Sequence, residues 1–238
     1  MTTIKNYIRK LVLGKKASSE SYIKYLRKRG AFVGDRTTFF SPLQISIDDT
    51  QPWMIEIGDD VQITAGVRIL THDYSWAVLK KVYGSIVGMA GSVKIGNNVF
   101  IGSDTTILGG TKIGDNVIIG AGSLVKGCIP SNCVAAGNPC RKIMSLEEYY
   151  QKRQLHQEIE AFELAESYYR HTGKVPEDTL FHEFFFLFSN KPYNTVFDDK
   201  LKLVGNYDMS IEALNSHSPQ YKNFSEFIKA AGIIKSNK

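Results

Sequence analysis

The chain has 238 residues, of which 43% are hydrophobic and 22% charged, an ordinary globular composition that excludes wholesale disorder. Three cysteines are too few for a disulfide scaffold, and no apolar run approaches the roughly 18 residues of a membrane span, so a cytoplasmic protein without stable membrane insertion is expected. The net charge of +5 permits an anionic ligand but is modest for a nucleic-acid binder, so no nucleic-acid partner is expected.

Residues 1–30 are predicted to form an N-terminal helical segment. Apolar residues recur at helical spacing from Ile4 to Leu26, with a break at Gly14. The basic run over residues 24–29 is interpreted as a solvated helix face, with a phosphate-facing or membrane-facing role as the alternative.

An apolar residue recurs every six positions through the middle of the chain. One series runs from Val33 to Ile69, with Gln51 as its only polar member, and a second runs from Ile95 to Val125. Glycine follows the apolar residue in six of these hexapeptides, at Gly34, Gly58, Gly96, Gly102, Gly114 and Gly120. A hexapeptide provides one short strand and one turn, so three of them make a coil that stacks on the next through parallel strands.

The repeat predicts a mainly β fold, a left-handed parallel β-helix of about five coils over residues 31–144. Its apolar positions would point inward, and Gly, Asn and Asp would occupy the corners. An ordinary β-sandwich is the alternative, but alternation with a period of two does not place glycine in a six-residue frame. From Ile69 to Ile95 is 26 residues, which is not a multiple of six, so an insertion loop is expected at 71–92.

Residues 145–238 are predicted to form a C-terminal α-helical extension. Ser145 and Glu148 read as a capping box that begins a helix ending near Gly173. A short aromatic helix is expected over 177–189 and a last helix near 223–231. A C-terminal helix is expected to cover the open end of the coils, whose last strands would otherwise be an unpaired edge. The cysteines, Cys128, Cys133 and Cys140, are expected in small buried packing roles.

His72 is the only one of five histidines inside the repeat region, and it lies where the register breaks. Loops that leave a regular solenoid tend to carry function, and histidine can act as a general base near neutral pH. The alternative is a loop histidine that only makes local hydrogen bonds.

The closing segment at 134–143, VAAGNPCRKI, is the most specific motif of the chain. Together with the IGxxxx tandem and the THD loop at 71–73, it resembles the hexapeptide-repeat acetyltransferases over residues 33–145, nearest their streptogramin and polysaccharide group. The resemblance implies acetyl-CoA as co-substrate, no metal, and a homotrimer with active sites at the subunit interfaces. It also implies that His72 is the catalytic base.

The resemblance further implies which residues contact the coenzyme. Ser103 and Ala121 match positions beside the pantetheine arm, and Lys126 matches one near the adenine end. Arg141 matches the basic residue near the 3′-phosphate. The full set is Ser103, Ala121, Lys126, Asn138, Pro139, Arg141 and Lys142. Galactoside acetyltransferase has a further arginine where this chain has Met144, so the phosphate contacts would be shared differently.

These observations predict an acetyl-CoA-dependent O-acetyltransferase that acts on a sugar or surface-polysaccharide precursor by direct transfer in a ternary complex. A small-molecule or glycan acceptor is expected at Asp73, Tyr74, Trp76 and Tyr83. The aromatic residues would either form a platform for a sugar ring or pack against a neighbouring subunit. The second ring nitrogen of His72 is expected to be oriented by a backbone carbonyl or a carboxylate.

Four other functions remain open from the sequence. One is an N-acetyltransferase acting on a nucleotide-linked amino sugar, although residues 1–32 are too short for a nucleotide-binding domain. Another is a streptogramin-like acetyltransferase. A γ-type carbonic anhydrase would need three histidines on a metal, and the repeat region has one. A non-enzymatic β-helix scaffold would bind no coenzyme.

Overall fold

The computed structural model describes residues 11–234, so the predicted helical positions before residue 11, Ile4 among them, lie outside the described residues. The chain divides into two compact units, Met1–Tyr149 and Tyr150–Lys238. In the described part of the chain, no helix is both long enough and apolar enough to cross a bilayer.

The first unit is built from short strands that follow one another along the chain. Within residues 11–234 they are β1 (Phe32–Val33), β2 (Thr38–Phe39), β3 (Ser46–Ile47), β4 (Ile55–Ile57), β5 (Gln62–Ile63), β6 (Arg68–Ile69), β7 (Val93–Ile95), β8 (Val99–Ile101), β9 (Thr106–Ile107), β10 (Thr111–Ile113), β11 (Val117–Ile119), β12 (Leu124–Val125), β13 (Cys128–Ile129), β14 (Cys133–Ala136) and β15 (Arg141–Ser145).

Successive strands enter three parallel sheets in rotation. Sheet A has the order β1-β4-β7-β10-β13, and sheet C has the order β3-β6-β9-β12. Sheet B contains β2, β5, β8, β11 and β14 in parallel, with β15 added at its edge. The chain therefore passes from sheet A to B to C before it returns to sheet A, and we call the whole assembly the stack.

The register of the stack reproduces the six-residue repeat. Val93 faces Thr111 and Val99 faces Val117, so neighbouring strands are 18 residues apart where the repeat is regular. In the first coil, 3₁₀ turns at Pro42–Gln44 and Pro52–Met54 lengthen the path. Gln51 immediately precedes the second turn and is half-buried, with its Oε1 buried. The apolar members of the upstream six-residue frame are all buried, which confirms the frame for Val33, Phe39, Ile45, Ile57, Ile63 and Ile69.

The core of the stack consists of the inward side chains of the three sheets. In β4, Ile55 and Ile57 are fully buried while Glu56 between them is exposed, and the other strands from β1 to β13 alternate in the same way. Each such side chain contributes about 1.5–3 kcal/mol by its burial. Helix α1 (Ser19–Lys28) adds Tyr22 and Leu26 to this cluster, so the predicted helical face packs on the stack.

Four of the six repeated glycines stack above one another at the corner between sheets A and B, namely Gly34, Gly58, Gly96 and Gly114. A Cβ on Gly58 would lie 2.6 Å from the carbonyl oxygen of Gly96, and one on Gly96 would lie 2.8 Å from the carbonyl carbon of Gly114. Glycine is therefore required here by the close approach of coils. The left-handed backbone falls two residues later, on Asn98 and Asn116, whose side chains hydrogen-bond to each other at 2.9 Å.

The edge of sheet B is paired by a strand, and the C-terminal helix over the open end of the coils stays a prediction. β15 runs antiparallel to β14, with Arg141 opposite Ala136 and Ser145 opposite Cys133. The backbone N–H and C=O groups on the open side of β14 therefore have hydrogen-bond partners in β15. At its end the predicted capping box is confirmed, because Glu148 N donates to Ser145 Oγ at 3.1 Å and Ser145 N donates to Glu148 Oε2 at 2.6 Å.

The insertion and the C-terminal region contain the remaining α-helices of the described chain. They are α2 (Trp76–Tyr83), α3 (Leu146–Thr172), α4 (Thr195–Lys202), α5 (Tyr207–Ser216) and α6 (Phe224–Ala230). The end of α3 before Gly173 and the position of α6 confirm two predictions, whereas α4 and α5 were missed.

The aromatic helix predicted over 177–189 was wrong. The segment forms two 3₁₀ turns, Asp178–Phe181 and Phe185–Leu187. Phe181, Phe185 and Phe188 are all buried in one aromatic core. Their i, i+4, i+7 spacing is that of one α-helical face, which is why the sequence predicts an α-helix where the structure has two 3₁₀ turns. The turns between them bring all three side chains inward.

The three cysteines differ in exposure. Cys133 and Cys140 are buried, as predicted, and burial raises the pKa of both thiols. Cys128 is exposed, because it occupies the outward position of β13 next to inward Ile129. The prediction of a buried packing role was wrong for Cys128.

Candidate active site at the neck of the insertion loop

His72 lies at the neck of the loop that interrupts the stack. It forms an isolated antiparallel bridge with Ala90, and Gly91 N donates to the carbonyl oxygen of Thr71 at 2.8 Å. A Cβ on Gly91 would collide with Gly110 N, so the neck is packed closely against the next coil. The backbone of His72 is therefore fixed although the loop beyond it extends from the stack.

The imidazole of His72 is held by a buried carboxylate. Its Nδ1 lies 2.6 Å from Oδ2 of Asp48, whose side chain is only 6% exposed, against 28% for His72. The same oxygen accepts a hydrogen bond from the hydroxyl of Thr71, while Thr50 Oγ1 donates to Oδ1 at 2.6 Å. Asp48 directly follows β3, and its backbone N donates to Ile69 O at 2.9 Å.

Asp48 remains ionised at neutral pH. Burial by itself would raise its pKa, but the hydrogen bonds from Thr50, Thr71 and His72 outweigh burial and hold the pKa well below its usual range. An ionised carboxylate only accepts hydrogen bonds, so Nδ1 of His72 donates and the ring's lone pair is on Nε2. Nε2 makes no hydrogen bond within residues 11–234. This is the arrangement that a histidine base requires.

Sequence reasoning left the orienting group as a carbonyl or a carboxylate and did not identify Asp48. The two residues are 24 positions apart, and parallel pairing of β3 with β6 brings them together. The available signal was Gln51, the only polar member of the upstream repeat, beside the polar run Asp48-Asp49-Thr50.

The predicted acceptor residues are only partly brought together. Tyr74 is exposed, and its ring centroid lies 6.4 Å from His72 and 5.5 Å from half-buried Trp76. Asp73 does not orient His72, because its carboxylate accepts a hydrogen bond from Ser75 N at 2.9 Å within the loop. Hydrogen bonds from Ser75 lower the pKa of Asp73, with smaller contributions from nearby charges.

Tyr83 lies at the other end of α2, with three-quarters of its surface exposed. It is outside the His72–Tyr74–Trp76 group of rings. Helix α2 has no buried residue, and Val78 and Val82 are each about two-thirds exposed. The insertion therefore presents an apolar face that the rest of the stack does not cover.

Most of the predicted coenzyme residues follow strands of sheet B and lie along the edge between sheets B and C. Ser103 Oγ donates to Thr64 Oγ1 at 3.3 Å, and Ser103 O accepts from Gly122 N at 2.7 Å. Ala121 packs beneath Gly102 on the same edge. The exposed residues Asn138 and Pro139 follow β14 there.

The predicted basic residues are divided between two edges. Arg141 and Lys142 are exposed at the start of β15, and Arg141 Nη1 donates to the carbonyl oxygen of Cys140 at 2.8 Å. Lys126 follows β12 and lies at the edge between sheets C and A, which is the edge of His72. Its charge is one of those that lower the pKa of Asp73.

The chain is similar to several known proteins. The family model described as bacterial transferase hexapeptide (six repeats) matches residues 92–127. Protein CapG of Staphylococcus aureus is 42% identical over 127 residues, which are 53% of this chain and 73% of that protein. Galactoside O-acetyltransferase of Escherichia coli K12 is 37% identical over 110 residues, 46% of this chain and 52% of that protein.

A solved galactoside acetyltransferase in complex with coenzyme A is 33% identical, with 53% of this chain and 70% of that chain covered and a TM-score of 0.40. The repeat, the stack and the relatives agree on the class of protein. The chain belongs to the hexapeptide-repeat acetyltransferase family, and it is an acyltransferase.

Proposed function

We propose that this protein is an acetyl-CoA-dependent O-acetyltransferase that acts on a sugar or a surface-polysaccharide precursor, with His72 as general base. The observation that carries the proposal is the 2.6 Å contact between His72 Nδ1 and the buried carboxylate of Asp48. It orients the ring and leaves Nε2 to accept a proton. The name of the galactoside O-acetyltransferase relative supports a sugar hydroxyl as acceptor.

The reaction proceeds by direct transfer. His72 Nε2 takes the proton of the acceptor hydroxyl as the oxygen attacks the thioester carbon, and Asp48 stabilises the imidazolium through Nδ1–H. Backbone N–H groups at the coil corners stabilise the oxyanion. The carbon–sulfur bond then breaks, the acetyl ester remains on the acceptor, and the coenzyme thiolate recovers the proton from His72.

The edge between sheets B and C has the chemistry that a coenzyme requires. Ser103 and Ala121 offer small side chains and backbone groups to a pantetheine arm, beside Asn138 and Pro139. Arg141 and Lys142 offer two exposed cations for the 3′-phosphate. Lys126, on the edge of His72, is better suited to the reacting end of the ligands than to the adenine end.

A site shared between subunits of a homotrimer follows from this division between two edges. Sheet C separates them, and the chain from Ala65 to Thr71 spans up to ~20 Å at ~3.3 Å per residue. A second copy would place its sheet B–C edge against His72. The exposed apolar residues of α2, with Ile86 and Val87 after it, suit such a neighbour, since large exposed apolar patches mark interaction sites.

The same proposal includes the closed form of the stack and its organisation along the chain. The stack is a left-handed parallel β-helix over 31–144, preceded by the segment 1–30, whose described part (residues 11–30) is helical, and followed by the extension 145–238, whose described part ends at residue 234. The rotation of strands through three sheets and the 18-residue register support this form.

The test is an acetyl transfer assay with acetyl-CoA against a panel of sugars and glycans, with His72→Ala as the matched variant. General-base catalysis contributes typically ~10²–10⁴-fold, so the variant should lose that much in kcat while it keeps its fold, because His72 is partly exposed. Full activity of His72→Ala would refute the proposed base. Transfer to amino sugars alone would favour N-acetylation.

A further inference from the structure

The segment that precedes the stack contacts the residue next to Asp48. Lys15 Nζ and the hydroxyl of Tyr25 each donate to Asp49 Oδ2 at 2.7 Å, and Arg29 Nη2 donates to the carbonyl oxygen of Asp49 at 2.7 Å. Lys15 Nζ also lies 4.0 Å from the centre of the Tyr25 ring. We call Lys15, Tyr25, Arg29 and Asp49 the Asp49 clamp.

We infer that the Asp49 clamp positions the Asp48 carboxylate against His72, an inference that rests on the proposed function of that pair. Lys15, Tyr25 and Arg29 are positioning residues, because they act through Asp49 and Asp48 and do not touch the ring. The helical segment before the stack thereby takes part in assembling the active site.

The backbone before Asp48 is fixed by a strand, whereas the backbone after it is not. On its N-terminal side Asp48 is held by β3, and its own N–H donates to Ile69 O. On its C-terminal side residues 49–54 lie outside the strands, at the place where the coil widens. The clamp fixes both the side chain and the carbonyl of the first of these residues. The direction of the Asp48 side chain is therefore determined from both sides.

The clamp is not what attaches α1 to the stack. Tyr22 and Leu26 of the helix are buried in the core, and Arg27 donates to Val33 O at 2.7 Å and to Gly34 O at 2.9 Å. The Lys15–Asp49 pair is more than one-third exposed on both partners. Exposed ion pairs contribute little to stability, so the effect of the clamp should appear in the geometry of the site.

The experiment is a double-mutant cycle between the clamp and Asp48. The clamp is opened by Tyr25→Phe together with Lys15→Met, in the wild-type and in the Asp48→Asn background. The readout is the release of coenzyme A thiol from acetyl-CoA with water as acceptor. In the wild-type background we expect kcat to fall about 10-fold with unchanged KM for acetyl-CoA, since a misplacement of 1 Å can cost ~10²-fold. In the Asp48→Asn background we expect no further fall.

Arg27→Met is the matched control, because it removes docking hydrogen bonds of the same helix that do not reach Asp49. It should lower the melting temperature in both backgrounds and leave kcat unchanged. A purely structural role of the clamp would instead give equal losses in kcat with and without Asp48.

A second readout needs no turnover. NMR of ¹⁵N-histidine-labelled protein detects the proton on His72 Nδ1, whose signal is assigned because it is absent from His72→Ala. Opening the clamp should shift or broaden this signal. If Asp48→Asn lowers kcat while the open clamp leaves kcat and this signal unchanged, the inference is overturned and the proposed function stands. If His72→Ala retains full activity, the proposed function fails, and the inference fails with it.

Discussion

At the scale of single residues, Asp48 connects the proposed catalytic function of His72 with the stability of the fold. Its carboxylate is buried, accepts hydrogen bonds from two threonines and from His72, and has a pKa well below its usual range. A carboxylate with a lowered pKa stabilises the folded state wherever it is ionised in both states, above its unfolded value of about 3.9. That contribution is lost as the pH falls from there towards the lower folded pKa.

Asp48→Asn should therefore destabilise the protein in a pH-dependent way. The substituted amide keeps the shape of the carboxylate but turns one donor towards the donors of Thr71 and His72. We expect the difference in melting temperature between wild type and variant to be constant between about pH 5 and 8 and to narrow below about pH 4, where the Asp48 carboxyl begins to protonate in the unfolded chain while it stays ionised in the folded one. Calorimetric scans at several pH values measure it. A difference that widens as the pH falls would contradict the assigned ionisation.

At the scale of elements, the regular half of the stack depends on close contact between corners. The cause is the glycine stack, in which neighbouring coils approach more closely than a Cβ allows. Asparagines two residues later carry the left-handed backbone and link one coil to the next through side-chain hydrogen bonds. The two features together explain the IGxN pattern of the hexapeptides.

Gly96→Ala tests this requirement. The added Cβ would collide with Asp115 Oδ1 and lie 2.8 Å from the backbone of Gly114, so two coils must move apart, at a cost of about 1–3 kcal/mol in the free energy of unfolding. Gly88→Ala is the control, because a Cβ there meets nothing within 4 Å. Denaturant unfolding of both variants measures the difference, and equal stability would show that the corners tolerate a side chain.

At the scale of the whole molecule, the proposed site is incomplete within one chain. His72 and all of the expected coenzyme residues except Lys126 lie on different edges of the stack, and the insertion presents exposed valines. The proposed trimer would reconcile these observations, because a site shared between subunits would place the apolar face of α2 and both halves of the proposed site in one interface.

Light scattering should give a solution mass three times the 26.7 kDa of the chain. The double variant Val78→Glu/Val82→Glu places charges on the apolar face and should reduce both the mass and the acetyl transfer rate. Lys80→Gln, on the same helix, should change neither. A double variant that keeps the full mass would exclude this face from the interface.

The class of fold and the location of the site could be predicted from the sequence because both depend on local order. A six-residue period with glycine at a fixed place is visible along the chain, and so is the point where His72 interrupts it. The capping box at Ser145 and Glu148 is also local. The aromatic segment at 177–189 was misjudged because its turns are set by a core that residues distant in sequence complete.

The tertiary structure alone decided what lies beside His72. Asp48 reaches it only through the parallel pairing of β3 with β6, and the Asp49 clamp reaches Asp48 only because α1 packs on the first coil. The tertiary structure likewise decided that Lys126 and Arg141 lie on different edges of the stack. The sequence determined the repeat because each hexapeptide carries its own turn, whereas side chains 24 or more positions apart meet only once the coils have stacked.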